Sequence, residues 1–101
     1  MAYNYTDLTV IMKIDPKWLA DGGTVYAGLE GLGGNAVEVE TTAYNTETGA
    51  IVADFTQAQT SQIQGVAYVQ CNGFLNGKRW ASEKKKIFVG TNTIRRIINA
   101  N

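Results

Sequence analysis

Apolar and polar residues alternate with a period of two along most of this chain, and long stretches with the helical period of 3.6 are missing. Because successive side chains of a strand point to opposite faces of its sheet, the alternation predicts half-buried strands. Six segments carry the pattern, at residues 8–14, 25–30, 37–44, 51–55, 63–71 and 87–89. Their number and spacing predict an all-β chain, an Ig-like antiparallel β-sandwich of about six or seven strands. We expect residues 1–101 to form a single domain.

Turn signals separate the predicted strands. Asn76-Gly77 is the strongest two-residue hairpin signal, and residues 45–49 predict a short hairpin loop in which Gly49 takes a positive φ. Residues 31–35, rich in glycine, predict a flexible connector. The polar stretch 56–62 has no period and predicts a loop.

One short helical turn interrupts the strands near residues 16–21. Asp15 is suited to cap it, Pro16 occupies the first helical position, and Gly22 follows its end. Trp18 and the leucine after it are then placed to plug one end of the sandwich.

The C-terminal residues 91–101 are ambiguous. The spacing of Ile94, Ile97 and Ile98 suits a short helix that Asn92 can cap, although alternating isoleucines also suit an edge strand. The cap favours a short C-terminal helix.

The predicted hairpin raises a problem of register. If Leu75 lies opposite Lys78, then Val69 lies opposite Lys84, and the apolar face of one strand meets lysines. A slip of one residue exchanges the two faces of a strand. We therefore predict a β-bulge within residues 80–83, or a strand that extends beyond its partner.

The charges are segregated along the chain although the net charge is zero. Residues 1–77 contain two lysines and eight carboxylates, a net −6, and residues 78–101 contain seven cationic side chains and one carboxylate, a net +6. The basic end is suited to an anionic partner such as nucleic acid. Alternatively, the acidic residues 1–77 and the basic residues 78–101 attract each other, within one fold or between copies of the chain. The net charge of zero favours this second interpretation.

Composition argues against an enzyme. Histidine is absent and Cys71 is the single cysteine, which excludes intramolecular disulfides, Cys/His zinc sites and histidine-based triads. Glu38, Glu40 and Asp54 alternate with apolar residues as solvated side chains do. The glycines of residues 28–34 lack the Lys-Ser/Thr of a phosphate loop. We predict no catalytic residue, no metal and no cofactor.

The basic segment and its aromatic neighbours are the candidate partner-binding residues, because aromatic side chains and arginine dominate interface energetics. The lysines also suit a solvated edge strand, where they prevent aggregation. The candidates are Tyr68, Trp80, Lys84, Lys85, Lys86, Arg95 and Arg96.

Residues 64–69, 76–82 and 87–89 together resemble the end of the small Ig-like adaptor domains of phage tail and baseplate proteins. In those domains a strand that opens with glycine leads to a Gly-Lys-Arg turn, a serine and a closing strand that ends in valine. The resemblance implies a structural or adaptor protein of a phage or mobile element that works by assembly, in the host cytoplasm or the virion. The run of three lysines departs from the pattern.

The residues therefore predict a non-enzymatic binding or assembly module, acting through a strand edge or its charged surfaces. Its partner is expected to be another protein or a second copy, as a homo-oligomer. One alternative is a small nucleic-acid-binding β-barrel that uses the basic residues 78–96. Another is an oligomer that sequesters a nucleotide between C-terminal arginines. The sequence has no apolar run long enough for a membrane span and no signal-peptide pattern at its start, so we predict no membrane partner.

Overall fold

The computed structural model describes residues 2–100, in which strands predominate and helix is confined to two single turns. The strands are β1 (Ala2–Tyr3), β2 (Leu8–Lys13), β3 (Val25–Gly31), β4 (Ala36–Thr41), β5 (Ala50–Phe55), β6 (Gly65–Leu75), β7 (Lys78–Ala81) and β8 (Lys85–Gly90). A 3-10 helix spans Pro16–Leu19, and helix α1 spans Gln57–Thr60. The prediction of an all-β chain is confirmed, and the Ig-like assignment stays a prediction.

The strands form two sheets that curl toward each other. The larger has the order β1-β8-β6-β3-β4, with β7 also paired to β6, and the smaller consists of β2 and β5. All pairs are antiparallel except β1 with β8. The segment after β4 joins the sheets, because Val52 N donates to Ala43 O (2.8 Å) and Thr41 Oγ1 donates to Val52 O (2.9 Å). The two sheets therefore meet where the chain passes from β4 to β5, and β2 and β7 do not pair with each other within residues 2–100.

The core lies between the two sheets and follows the alternation seen in the sequence. In β3, Val25, Ala27 and Leu29 are buried, and in β5 the buried residues are Ile51, Ala53 and Phe55. The other buried apolar residues are Val10, Met12, Leu19, Ile63, Ala67, Val69, Cys71, Trp80 and Val89. Burial of these side chains is the main favourable term in folding.

The β6–β7 hairpin forms as predicted. Asn76 and Gly77 have φ values of 53° and 74°, as a two-residue type I′ turn requires, and Leu75 lies opposite Lys78. Asp21 Oδ2 accepts a hydrogen bond from Asn76 N (2.6 Å), which fastens the turn to the segment after the 3-10 helix.

The predicted bulge is present, between β7 and β8. Asn72 lies opposite Ala81, but Val69 lies opposite Lys85, so β6 advances three residues while its partner advances four. Ser82 N donates to Cys71 O (2.8 Å) at the last regular pair. The extra residue therefore falls at Glu83–Lys84, at the C-terminal end of the predicted range. It turns Ile87 and Val89 toward the core.

The 3-10 helix confirms the predicted turn near residues 16–21. Asp15 Oδ1 accepts from Lys17 N (3.1 Å), Pro16 stands at the first position, and Leu19 is buried against the core. Residues 45–49 also turn as predicted, with Gly49 at φ 81°. The two strands that this turn joins, however, belong to different sheets. The segment after β4 meets β5 at the corner, where Tyr44 lies opposite Ile51 and Ala43 O accepts from Val52 N.

The prediction of a loop at residues 56–62 is wrong, because a capping box closes a helical turn there. Thr56 Oγ1 accepts from Gln59 N (3.3 Å) and Gln59 Oε1 accepts from Thr56 N (2.9 Å). Thr60, which ends this turn, is fully buried and bonds both the N–H and the carbonyl oxygen of Thr6.

The predicted C-terminal helix is also wrong, since residues 91–100 contain neither helix nor strand. Asn92 Oδ1 does accept from Ile94 N (3.0 Å), as a cap would. Farther along, Gln57 Nε2 donates to Ile98 O (2.7 Å) and Gln57 Oε1 accepts from Ile98 N (3.0 Å). The tail thus lies against α1, and these long-range hydrogen bonds replace those of a helix.

A candidate binding cleft between two strand edges

A cleft of about 980 Å³ opens between β2 of the smaller sheet and β7 of the larger one. One wall is β2 with the start of the 3-10 helix, and the other is β7 with the bulge after it. We call it the edge cleft; its lining residues are Ile11, Met12, Lys13, Ile14, Asp15, Trp18, Lys78, Arg79, Trp80, Ala81, Ser82, Glu83, Lys84 and Lys85.

Both walls present backbone groups that no strand pairs within residues 2–100. Ile11 O accepts from Lys85 Nζ (3.0 Å), so the backbone of Ile11 points away from β5. On the other wall, Ser82 N bonds Cys71 O, which turns the backbone of Ala81 away from β6. Because alternate residues of a strand direct their N–H and C=O groups to opposite sides, Lys13 shares the direction of Ile11, and Arg79 that of Ala81.

Trp80 forms the floor of the cleft beside β6. Its side chain is only 8% exposed and packs over Gly73, where an added Cβ would lie 2.5 Å from the indole Cζ2 atom. The ring of Trp18, 37% exposed, lies 6.5 Å from it at a tilt of 42°. Trp80 Nε1 is buried and has no hydrogen-bond partner among the described residues. A buried donor without a partner is costly to the fold.

Cationic side chains outnumber anionic ones around the cleft. Its lining includes five lysine or arginine side chains and two carboxylates, those of Asp15 and Glu83. Lys85 spans the opening to reach Ile11 O. The surroundings therefore favour a ligand that brings negative charge.

The structure divides the seven predicted partner-binding residues among three places. Trp80 and Lys85 lie in the edge cleft, together with Lys84, which also approaches Glu30 at 3.7 Å. The other four lie elsewhere: Tyr68 and Lys86 are paired on the outer face of the larger sheet, and Arg95 and Arg96 are exposed in the tail. Trp80 is a buried floor residue rather than an exposed anchor.

Sequence reasoning missed the other wall of the cleft. Ile11 and Lys13 were predicted only as strand residues, and Trp18 as a plug. The signal was the apolar Ile11 on the solvent-facing side of β2, where it remains exposed.

The residues considered for catalysis are not brought together. Glu38 and Glu40 are exposed on the outer face of β4, whereas Asp54 belongs to the smaller sheet, where Thr9 Oγ1 donates to Asp54 Oδ1 (2.5 Å). Burial raises the pKa of the Cys71 thiol to about 11. A neutral, buried thiol is a poor nucleophile.

We expect Cys71 to be protected from alkylation in the folded chain. Raising the pKa from 9.0 to about 11 lowers the thiolate fraction about 100-fold at pH 8, and burial slows reaction further. Iodoacetamide labelling followed by mass spectrometry should therefore show reaction in denaturant only. The same shift stabilises the fold below pH 9, and this contribution is lost as pH rises toward 11. Cys71→Ala should lose that part of the alkaline pH dependence; rapid labelling of the native chain would contradict the expected protection.

Comparisons with known proteins add no family. No protein-family model matches the chain, and neither a curated protein nor a solved structure matches it significantly. Within residues 2–100, no group of three or more histidine, cysteine, aspartate or glutamate side chains is placed to hold a metal ion. Neither helical turn in the described part is long and apolar enough to cross a membrane.

Proposed function

We propose that this domain is a non-enzymatic assembly module that binds an extended, acidic segment of a partner protein in the edge cleft. The observation that carries the proposal is that both walls of one cleft are strand edges with no strand partner within residues 2–100. An extended segment placed between them would pair with β2, with β7 or with both, as in strand addition. Such a role accords with the adaptor domains that the C-terminal half resembles.

Two features support the chemistry of this occupant. Alternate side chains of an added strand point to opposite sides. One set would face Trp18 and Trp80. The other set would face the solvent, near the lysine and arginine side chains that line the cleft, which we call the basic rim. The excess of cations on that rim favours glutamate or aspartate in the second set.

The chain's own acidic strand is a poor donor for a second copy. The free edge of β4 is partly occupied, because Glu38 O accepts from Gln59 Nε2 (3.3 Å) and Thr41 Oγ1 donates to Val52 O. We therefore favour a partner protein over self-association in this cleft. The predicted homo-oligomer stays a separate prediction, which light scattering across concentrations decides.

Peptide binding tests the proposal, and the two tryptophans of the chain report on it since both line the cleft. We expect an octapeptide of alternating valine and glutamate, blocked at both ends, to shift the tryptophan emission. The matching valine–lysine peptide should bind at least about tenfold more weakly, and added salt should weaken binding of the acidic peptide.

Ala81→Pro is the decisive variant, because it removes an N–H that points into the cleft and none that pairs with β6. It should bind the peptide at least about tenfold more weakly, while Ala81→Val, which keeps the N–H, should bind as the parent does. Equal binding by both variants would overturn strand addition. Tighter binding of single-stranded oligonucleotides than of the acidic peptide would instead favour the nucleic-acid alternative.

A further inference from the structure

A second concave site lies on the outer face of the larger sheet, on the opposite side of β6 from the core. It is a groove of about 590 Å³ whose floor is Gly28. Gly28 lies in the middle of β3, opposite Glu38 on β4 and Gln70 on β6. We call it the Gly28 groove.

Packing does not explain the glycine at this position. A Cβ added to Gly28 would approach no atom closer than 3.9 Å, to Gln70 O and Val37 O, which is ordinary contact. Glycine inside a strand weakens it and often marks a place where a ligand approaches the backbone closely. At Gly28 the missing side chain leaves the floor of the groove open.

The groove presents rings and fixed amides. The rings of Tyr26, Tyr68 and Phe74 line it, and part of each is accessible to solvent. Gln70 Nε2 donates to Ser82 O (2.8 Å), which leaves Gln70 Oε1 as an acceptor. Asn72 Oδ1 accepts from Arg79 Nε (3.1 Å), which leaves its Nδ2 as a donor.

The charges at the groove balance. Its lining contains two carboxylates, Glu30 and Glu38, and two cations, Arg79 and Lys84. A polyanion would meet the two carboxylates, which opposes nucleic acid here. A polypeptide strand cannot pair with β3, because β3 already pairs with β4 on one side and β6 on the other. The ligand must be recognised by side chains, through flat apolar surfaces and hydroxyl-type hydrogen bonds, and must be close to neutral.

We propose that the Gly28 groove binds a neutral saccharide. A pyranose ring has an apolar face that stacks on Tyr or Phe, and its hydroxyl groups both donate and accept hydrogen bonds. Gln70 and Glu38 would accept from hydroxyl groups, and Asn72 would donate. Because Gly28 has no side chain, the sugar can lie close to the sheet. Its hydroxyl groups would then be within reach of the few polar groups of the groove.

Isothermal titration with cellohexaose, mannohexaose, maltohexaose and chitohexaose tests this site. We expect at least one of the four to bind, and Gly28→Val to weaken that binding at least about tenfold by filling the floor. Tyr68→Ala should weaken it as well. Since a Cβ at position 28 meets only ordinary contacts and valine favours strands, we expect the unfolding midpoint of Gly28→Val to equal or exceed that of the parent, which separates loss of binding from loss of fold.

Gly33→Val is the matched control, because Gly33 lies in the β3–β4 loop with open space around it and outside the groove. It should bind the saccharide as the parent does. Failure of all four saccharides to bind, or undiminished binding by Gly28→Val, would overturn the proposal. Neither result would bear on the edge cleft, whose test uses Ala81.

Discussion

Replacing Gly49 by alanine is expected to destabilise the folded chain by about 3 kcal/mol or more, a large share of the stability of a small domain. Gly49 has φ 81°, and its added Cβ would overlap the carbonyl oxygen of Ile14 and lie 3.0 Å from its carbonyl carbon. These are backbone atoms, which a rotamer change cannot move aside. Relief would require breaking the bond from Ile14 N to Gly49 O (3.0 Å), where the end of β2 is held to the turn. Urea denaturation measures the loss directly.

Gly34→Ala separates the overlap from the cost of the dihedral angle. Gly34 has a similar φ of 90°, but an added Cβ there meets no atom within 4 Å. The strain of a left-handed alanine alone costs roughly 1–2 kcal/mol. If the two variants were equally stable, the close approach of Gly49 to Ile14 would be irrelevant, and the described geometry of this corner would be wrong.

The strands were predictable because alternation is a local property. Residues such as Val10 and Met12 are buried because they lie in phase on one face, and this phase is readable without knowing which strands pair. Pairing was not readable in the same way. The turn at residues 45–49 predicted a hairpin, yet its first strand pairs with β3 and its second with β2. Thr41 and Val52 join the sheets only at the corner.

The two errors in helix prediction have opposite causes. The capping box of Thr56 and Gln59 is readable in the sequence, but the stretch lacks the apolar period that would predict a helix. Residues 91–100 have isoleucines at helical spacing but form no helix. There the side chain of Gln57 bonds Ile98 on both its N–H and its carbonyl, and such a long-range contact leaves no local signature.

The bulge and the cleft show how far side-chain chemistry can be predicted. The bulge followed from an arithmetical conflict between Val69 and the lysine run, so it was predictable to within a residue or two. The cleft required knowing that Ile11 and Ala81, distant in sequence, line one opening. Lys85 is predictable as an exposed cation, but the hydrogen bond from its amine to Ile11 O joins residues 74 positions apart and leaves no local signal.

Phe55→Ala is expected to cost about 3–5 kcal/mol, the largest loss among single side-chain truncations considered for this chain. Phe55 is 1% exposed, at the end of β5 opposite Leu8, and in a close-packed core its removal leaves a cavity. Its matched control is Phe88→Ala. Phe88 is also a strand residue, but it is 58% exposed on the outer face of β8, so its loss should cost less than about 1 kcal/mol.

The comparison tests the phase of the alternation itself. Phe55 is in phase with Ile51 and Ala53, whereas Phe88 is out of phase with Ile87 and Val89. Both variants remove the same phenylalanine side chain, and the two positions lie on opposite faces of their sheets. The difference between their free energies of unfolding, measured by denaturant titration, therefore reports the effect of burial. Similar losses would mean that β8 is shifted by one residue, since such a slip would turn Phe88 inward. A small loss for Phe88 together with a large one for Phe55 is the result that the bulge predicts, because its extra residue brings Val89 rather than Phe88 to the core.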